Sequence, residues 1–267
     1  MAVRHDMNAR ILLQEEVGPD TFLMRFEATV ISEYARPGQF IMIRLCGYEG
    51  HDPLLRRPFS IHAADPDKGT VDILYRVVGR GTRQMSGLAP GMALKVLGPL
   101  GRGFSLHEER TPVLVGGGLG VAPLLFLARH LKGQGGSVIL GAVTSRQLLR
   151  LDAFENTGLD LLVATEDGSA GVRGLVTGVL DNLLKDIGSH HARPAAVYSC
   201  GPMPMLKAVA GVCMEYAIEC QVSIEAVMAC GLGLCLGCAV KARHDGYVHV
   251  CREGPVFYSD QIDWEQL

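Results

Sequence analysis

The chain of 267 residues is longer than one small domain requires, and with 48% hydrophobic residues it can bury a sizeable core, which excludes global disorder. A formal net charge of −3 with no basic block argues against a nucleic-acid partner. The polar, mixed-charge segment Met1–Arg10 does not read as a signal peptide, and the uncharged run Pro112–Ala128 is too short and too glycine-rich to span a membrane, so a cytoplasmic protein without a membrane partner is expected.

Up to about Leu106 the pattern is short strands separated by Gly/Pro turns: Ile11–Val17, Thr21–Ala28, Gln39–Leu45, Arg57–Ala63, Val71–Val78 and Ala93–Leu97. Apolar residues partly alternate, as in Phe22/Met24/Phe26 and Ile41/Ile43/Leu45, and six such strands predict a small Greek-key barrel. Within it, Arg57-Pro58-Phe59-Ser60 fixes a guanidinium and a hydroxyl on one rigid strand, and Leu74-Tyr75-Arg76 adds an aromatic and a second guanidinium on a neighbour. Gly81-Thr82 opens a predicted helix, Thr82–Leu88, whose first N–H groups suit a phosphate. Together these groups fit a flavin dinucleotide; singly, each also fits a surface ion pair or a core tyrosine.

From Pro112 onward the pattern alternates strand and helix. Strands are expected at Pro112–Gly116, Val138–Val143, Asp160–Thr165, Ala196–Ser199 and Glu219–Ser223, with helices at Gly120–Leu131 and near Arg146–Glu155, Leu175–Lys185 and Met203–Tyr216. This predicts a doubly wound parallel sheet with ligands at the strand C-terminal ends. The first strand–helix turn carries Gly117, Gly118 and Gly120, which suits close approach by a pyrophosphate. It departs from G-x-G-x-x-G because Pro123 takes the last glycine's place, and Arg146, not an acid, follows the second strand. Asp167 and the pair Cys200-Gly201 mark two further strand ends, and the three turns favour one shared cleft.

The last segment holds Cys230, Cys235, Cys238 and Cys251, spaced C-x4-C-x2-C-x12-C, which opens like the plant-type [2Fe–2S] pattern. Gly231, Gly233 and Gly237 let the backbone turn N–H groups toward sulfur, and Leu232, Leu234 and Leu236 can shield a cluster from water. Structural zinc remains the main competing reading, although paired C-x2-C knuckles are absent. Disulfides need a secreted context, and a Rieske-like site on His244 or His249 lacks its second ligand pair. The scattered Cys46, Cys200, Cys213 and Cys220 read as free thiols of a reducing compartment.

A barrel with R-P-x-S, a nucleotide lobe with G-G-G-x-G-x-A-P and C-G-P, then a four-cysteine loop: this order resembles the ferredoxin reductase superfamily. Within it, the chain is most similar to the electron-transfer subunits of NAD-dependent dihydroorotate dehydrogenases, enzymes of pyrimidine synthesis. The resemblance covers nearly the whole chain and implies three parts: an FAD-binding barrel (1–107), an NAD-binding α/β domain (108–222) and a [2Fe–2S] domain (223–267). It implies FAD contacts from Arg57–Ser60, Leu74–Arg76 and Gly81-Thr82, and a cluster on Cys230, Cys235, Cys238 and Cys251. Phe59 stands where an aliphatic residue is more usual. Ser60 is expected to orient the flavin, and Cys200-Gly201 to line the nicotinamide side, with no residue needed as general acid or base. The implied partner is an FMN-containing catalytic subunit in a heterotetramer. Relatives built from the same modules serve sulfhydrogenases and ferredoxin:NADP oxidoreductases, which remain the alternative.

Overall fold

Alternating apolar residues close the first sheet on itself. In the computed structural model, which describes residues 4–45, 53–190 and 193–267, six antiparallel strands build a barrel: β1 (His5–Gly18), β2 (Thr21–Glu27), β3 (Phe40–Leu45), β4 (Arg57–Asp65), β5 (Thr70–Arg76) and β6 (Ala93–Leu100). Their order around the barrel is β1-β2-β5-β4-β3-β6. Inward-facing Ile11, Met24, Phe26, Ile41, Ile43, Ile61, Ile73 and Val96 fill the interior. Two short helices accompany it, α1 (Thr29–Tyr34), which the strand pattern had hidden, and α2 (Arg80–Ser86). Cys46 lies outside the described residues.

The second lobe is a sheet of seven strands. Its parallel members are β7 (Thr111–Gly117), β8 (Ser137–Ala142), β9 (Asp160–Thr165), β10 (Val172–Arg173), β11 (Ala195–Cys200) and β12 (Glu219–Ser223), in the order β10-β9-β8-β7-β11-β12. Helices α3 (Val121–His130) and α4 (Leu151–Glu155) cover one face, where Leu114, Leu140 and Tyr198 point. The other face, with Val113, Val115 and Val197, is covered by α5 (Val176–His190) and α6 (Met203–Glu215). Alternate strand residues therefore serve opposite cores, as double winding requires.

One expectation needs correction. The helix near Arg146–Glu155 is a single 3-10 turn, Ser145–Gln147, followed by the short α4, because Arg150 sits in the left-handed region at φ 62° and breaks the run. The parallel sheet of the nucleotide lobe also gains an antiparallel edge strand from the C-terminal segment. The cysteine segment forms a hairpin, β13 (Ala239–Lys241) with β14 (Tyr247–His249), and then returns as β15 (Val256–Tyr258), which pairs antiparallel with β12.

The lobes are joined by a pinned linker. The Gln221 side chain accepts from Ser105 N–H and donates to Ser105 C=O, both at 2.8 Å, while Phe104 N–H donates to Pro37 C=O at 2.9 Å. A buried amide that satisfies both groups of one linker residue fixes the angle at which the barrel meets the sheet.

Candidate functional site

A cavity of about 300 Å³ opens where the barrel meets the sheet. Arg57, Pro58, Phe59, Ser60, Leu74, Tyr75, Arg76 and Thr82 all line it, so the two barrel motifs converge as expected. They converge because β3 lies beside β4 and β5 completes the same wall, with Phe40 opposite Ser60. Tyr75 is buried; burial pushes its hydroxyl up to about 12, and Gln14 donates to it at 2.7 Å. Phe59 meets the Tyr75 ring edge-on at 5.7 Å. Two details differ from expectation. Thr82 Oγ1 accepts from Val78 N–H at 3.0 Å and Gly79 N–H at 3.2 Å, so this hydroxyl caps its own helix. Gly81 does not line the cavity but sits beneath Arg57, whose Nε lies 2.5 Å from where a Cβ would stand.

The opposite wall was not legible beforehand: Leu119, Ala122 and Pro123 come from the glycine-rich turn, and Ser223, Ile224, Glu225, Ala226 and Met228 lead toward the cysteines. Fixed guanidiniums beside apolar and aromatic walls suit a ligand with an anionic diphosphate and a large planar ring, and FAD fits this donor set.

Arg76 also lines a second cavity, of about 470 Å³, at the C-terminal ends of β7, β8 and β9. Gly117 and Gly118 form its floor; Gly118 has φ 54°, and open space lies where its Cβ would stand, which leaves room for a phosphate close to backbone. The other expected residues are placed differently. Gly120 packs against Cys200 C=O, 2.1 Å from an ideal Cβ, so it serves helix–strand packing. Asp167 accepts from Ser169 N–H at 2.9 Å and Ser169 Oγ at 2.6 Å, and its carboxyl is held below the usual range by those bonds. Its neighbour Glu166 faces the cavity instead, with Gln147, Thr177 and Met205. Cys200 is buried at the end of β11 and lines neither cavity; burial, then the charge of Glu225, pushes its thiol up to about 12. Gly201 is wedged against Met205, and Pro202 takes the wall position.

The four cysteines fall into two pairs. Cys238 and Cys251 lie with sulfurs 3.2 Å apart, and Cys230 hydrogen-bonds with Cys235. Backbone N–H groups aim at sulfur: Leu232 to Cys230 at 3.3 Å, Gly233 to Cys251 at 3.1 Å, and Cys251 to Cys238 at 3.4 Å. Burial acts to raise the Cys230 thiol, yet N–H groups of Cys235, Leu232 and Leu234 outweigh it and bring the thiol down to about 6. Cys251, by contrast, is pushed up to about 12 by burial and by the Cys238 thiol. Among the described residues no three His, Cys, Asp or Glu side chains gather closely enough for a single ion. Two thiol pairs with donors already pointed at sulfur fit a two-iron cluster, with two thiolates for each iron, better than one tetrahedral zinc.

Comparison with known proteins decides the family. Residues 8–104 match the oxidoreductase FAD-binding domain, 114–211 the oxidoreductase NAD-binding domain, and 225–263 the iron–sulfur cluster binding domain of dihydroorotate dehydrogenase B. The dihydroorotate dehydrogenase B (NAD(+)) electron transfer subunit of Caldanaerobacter subterraneus subsp. tengcongensis is 40% identical over 263 residues, covering 97% of this chain and 99% of that protein. That of Desulforamulus reducens is 41% identical over 265 residues, covering 97% and 98%. The chain belongs to this family. Among solved structures, the dihydroorotate dehydrogenase B electron-transfer fold is shared with an NADH-dependent reduced ferredoxin-NADP oxidoreductase, at TM-score 0.84 and 31% identity over 97% of this chain and 91% of that one. A ferredoxin reductase of carbazole 1,9a-dioxygenase, at TM-score 0.67 and 19% identity over 80% and 67%, shares the fold alone. No helix among the described residues is long and apolar enough to cross a membrane.

Proposed function

We propose that this chain is the NAD-linked electron-transfer subunit of a dihydroorotate dehydrogenase, working beside an FMN-containing catalytic subunit in a heterotetramer. One observation carries the reading. The flavin cavity shares Arg76 with the nucleotide cavity on one side, and on the other its wall runs through Glu225, Ala226 and Met228 into the cysteine loop. The three sites are thus consecutive, and the order has a chemical reason. A nicotinamide exchanges only a hydride and an iron–sulfur cluster only single electrons, whereas bound FAD supplies the conversion between them. The chain's own residues hold and orient: Arg57 and Arg76 neutralise diphosphate charge, Ser60 presents a hydroxyl to the ring, Tyr75 and Phe59 exclude water, and Gly118 admits the dinucleotide. The three-part division at 107 and 222 follows these roles. Free thiols at Cys200, Cys213 and Cys220 support a reducing compartment such as the cytoplasm.

Mixing this chain with an FMN-containing dihydroorotate dehydrogenase tests the reading. The mixture gains dihydroorotate-dependent NAD+ reduction, Cys235→Ser abolishes it, and partner-only activity with artificial acceptors survives. No gain of activity and no complex by sedimentation refute it. They would favour the second reading, a reductase module for ferredoxin or hydrogenase, which the likeness to the ferredoxin-NADP oxidoreductase supports.

A further inference from the structure

His62 has no part in the sites described above, yet it is completely buried where the barrel meets the nucleotide lobe. It lies on β4 two residues beyond Ser60, and its Nδ1 is 2.7 Å from the carbonyl oxygen of Ala122 in the first turn of α3. A carbonyl only accepts, so Nδ1 carries the proton and donates, which leaves Nε2 bare. Nε2 is buried without a partner, and so is Nε of Arg150, whose charge acts on the ring. A ring in this setting is not filling space: leucine would fill the same volume without stranding a polar atom.

The two ends of the bond explain its value. β4 supplies Arg57 through Ser60 to the flavin cavity. The glycine turn before α3 supplies Gly117 and Gly118 to the nucleotide cavity, while Leu119 and the first-turn residues Ala122 and Pro123 of α3 line the flavin cavity. One hydrogen bond therefore joins the strand that holds the flavin to the helix that continues directly from the glycine turn of the nucleotide cavity. We propose that neutral His62 is a positioning residue that sets the register between the two cavities through its bond to Ala122, and so governs the rate of hydride transfer and not the affinity for either nucleotide. This rests on the reading of the two cavities as FAD and NAD sites.

The groups facing His62 set when the ring takes up a charge. Asp72 approaches from β5, already held by Arg25 at 2.7 and 2.8 Å; Arg129 comes from α3 and Arg150 from the turn before α4. Burial foremost, partly offset by the Ala122 bond, and then Arg150, hold the ring down at about 4. The folded value is thus depressed below the ordinary 6.5. Its contribution to stability is complete above pH 6.5 and is lost as the pH falls toward 4.

Full-length His62→Leu and His62→Asn chains are compared with wild type, asparagine keeping an N–H donor without a titratable ring. In the cofactor-free chains, amides from Val121 to Phe126 exchange hydrogen faster in the leucine variant by about tenfold and near the wild-type rate in the asparagine variant. In the FAD-loaded chains, flavin bleaching at saturating NADH slows by about ten- to a hundredfold in the leucine variant, with FAD retention and the NADH concentration for half-maximal rate unchanged, and asparagine restores most of it. The difference in thermal stability between wild type and the asparagine variant opens only between pH 6.5 and 4. Unchanged exchange with a wild-type bleaching rate in the leucine variant overturns the proposal, as does a flat difference curve. Failure of the wild-type chain to bind FAD or to be bleached by NADH sinks the parent reading instead, leaving the exchange and stability arms to judge the bond itself.

Discussion

Replacing Gly231 by alanine tests whether the cysteine loop is seated on the barrel. Gly231 has φ 69°, and an ideal Cβ there falls 2.7 Å from Met42 Cγ and 3.0 Å from its Sδ. Met42 is fully buried on β3, so it cannot swing clear into solvent. The left-handed backbone costs about 1–2 kcal/mol for a residue bearing a Cβ, and overpacking against a fixed core side chain adds about 1–3 kcal/mol. A penalty of about 2–5 kcal/mol then falls on the contact between loop and barrel, while the barrel itself keeps its ladder. The expected result is an anaerobically purified chain that keeps its FAD yet holds well under the roughly two irons and two sulfides of a full cluster. Gly211→Ala is the control, since open space surrounds that position in α6 and alanine favours a helix interior. A Gly231→Ala chain with full iron and the thermal stability of the control refutes the seating.

Three further outcomes follow from the site. Arg57→Ala removes a charge-assisted contact worth about 1.5–3 kcal/mol, so FAD binding measured by titration weakens about ten- to a hundredfold; retention of FAD through extensive dialysis contradicts that role. Glu166→Gln removes an anion from the nucleotide cavity and narrows the preference for NADH over NADPH in stopped-flow reduction, whereas an unchanged ratio shows that the 2′-phosphate does not reach it. Gln221→Leu removes both side-chain bonds to the Ser105 backbone and lowers stability by about 1–2 kcal/mol, read as a fall of a few degrees in Tm.

What could be read from the sequence was what local spacing encodes. The four cysteines, the Arg57–Ser60 strand and the glycine turn each carry their chemistry within a few residues, and the structure brings the barrel motifs to one cavity. What escaped depended on contacts across the chain. Asp167 and Glu166 are adjacent acids, and only the Ser169 turn decides which of them faces the cavity. Gly120 and Cys200 both read as ligand residues, but they are 80 positions apart in sequence and pack against each other. His62 looked like an ordinary strand residue, because its bond to Ala122 spans 60 positions. β15 was missed because three residues show no usable periodicity until β12 offers them an edge.

That returning strand has a consequence for how such a protein comes to exist. Ile224 N–H donates to Pro255 C=O at 2.9 Å, and Ser223 pairs with Val256, so both ends of the cysteine segment are stitched to the same sheet edge. The segment is an excursion with adjacent ends, and lengthening such a loop adds only a logarithmic entropy penalty. It is topologically an insertion at one sheet edge, yet Glu225, Ala226 and Met228 at its start also wall the flavin cavity, so the two cannot be parted cleanly. One-electron entry is therefore added to this architecture at one sheet edge, by backbone that at the same time closes the flavin cavity.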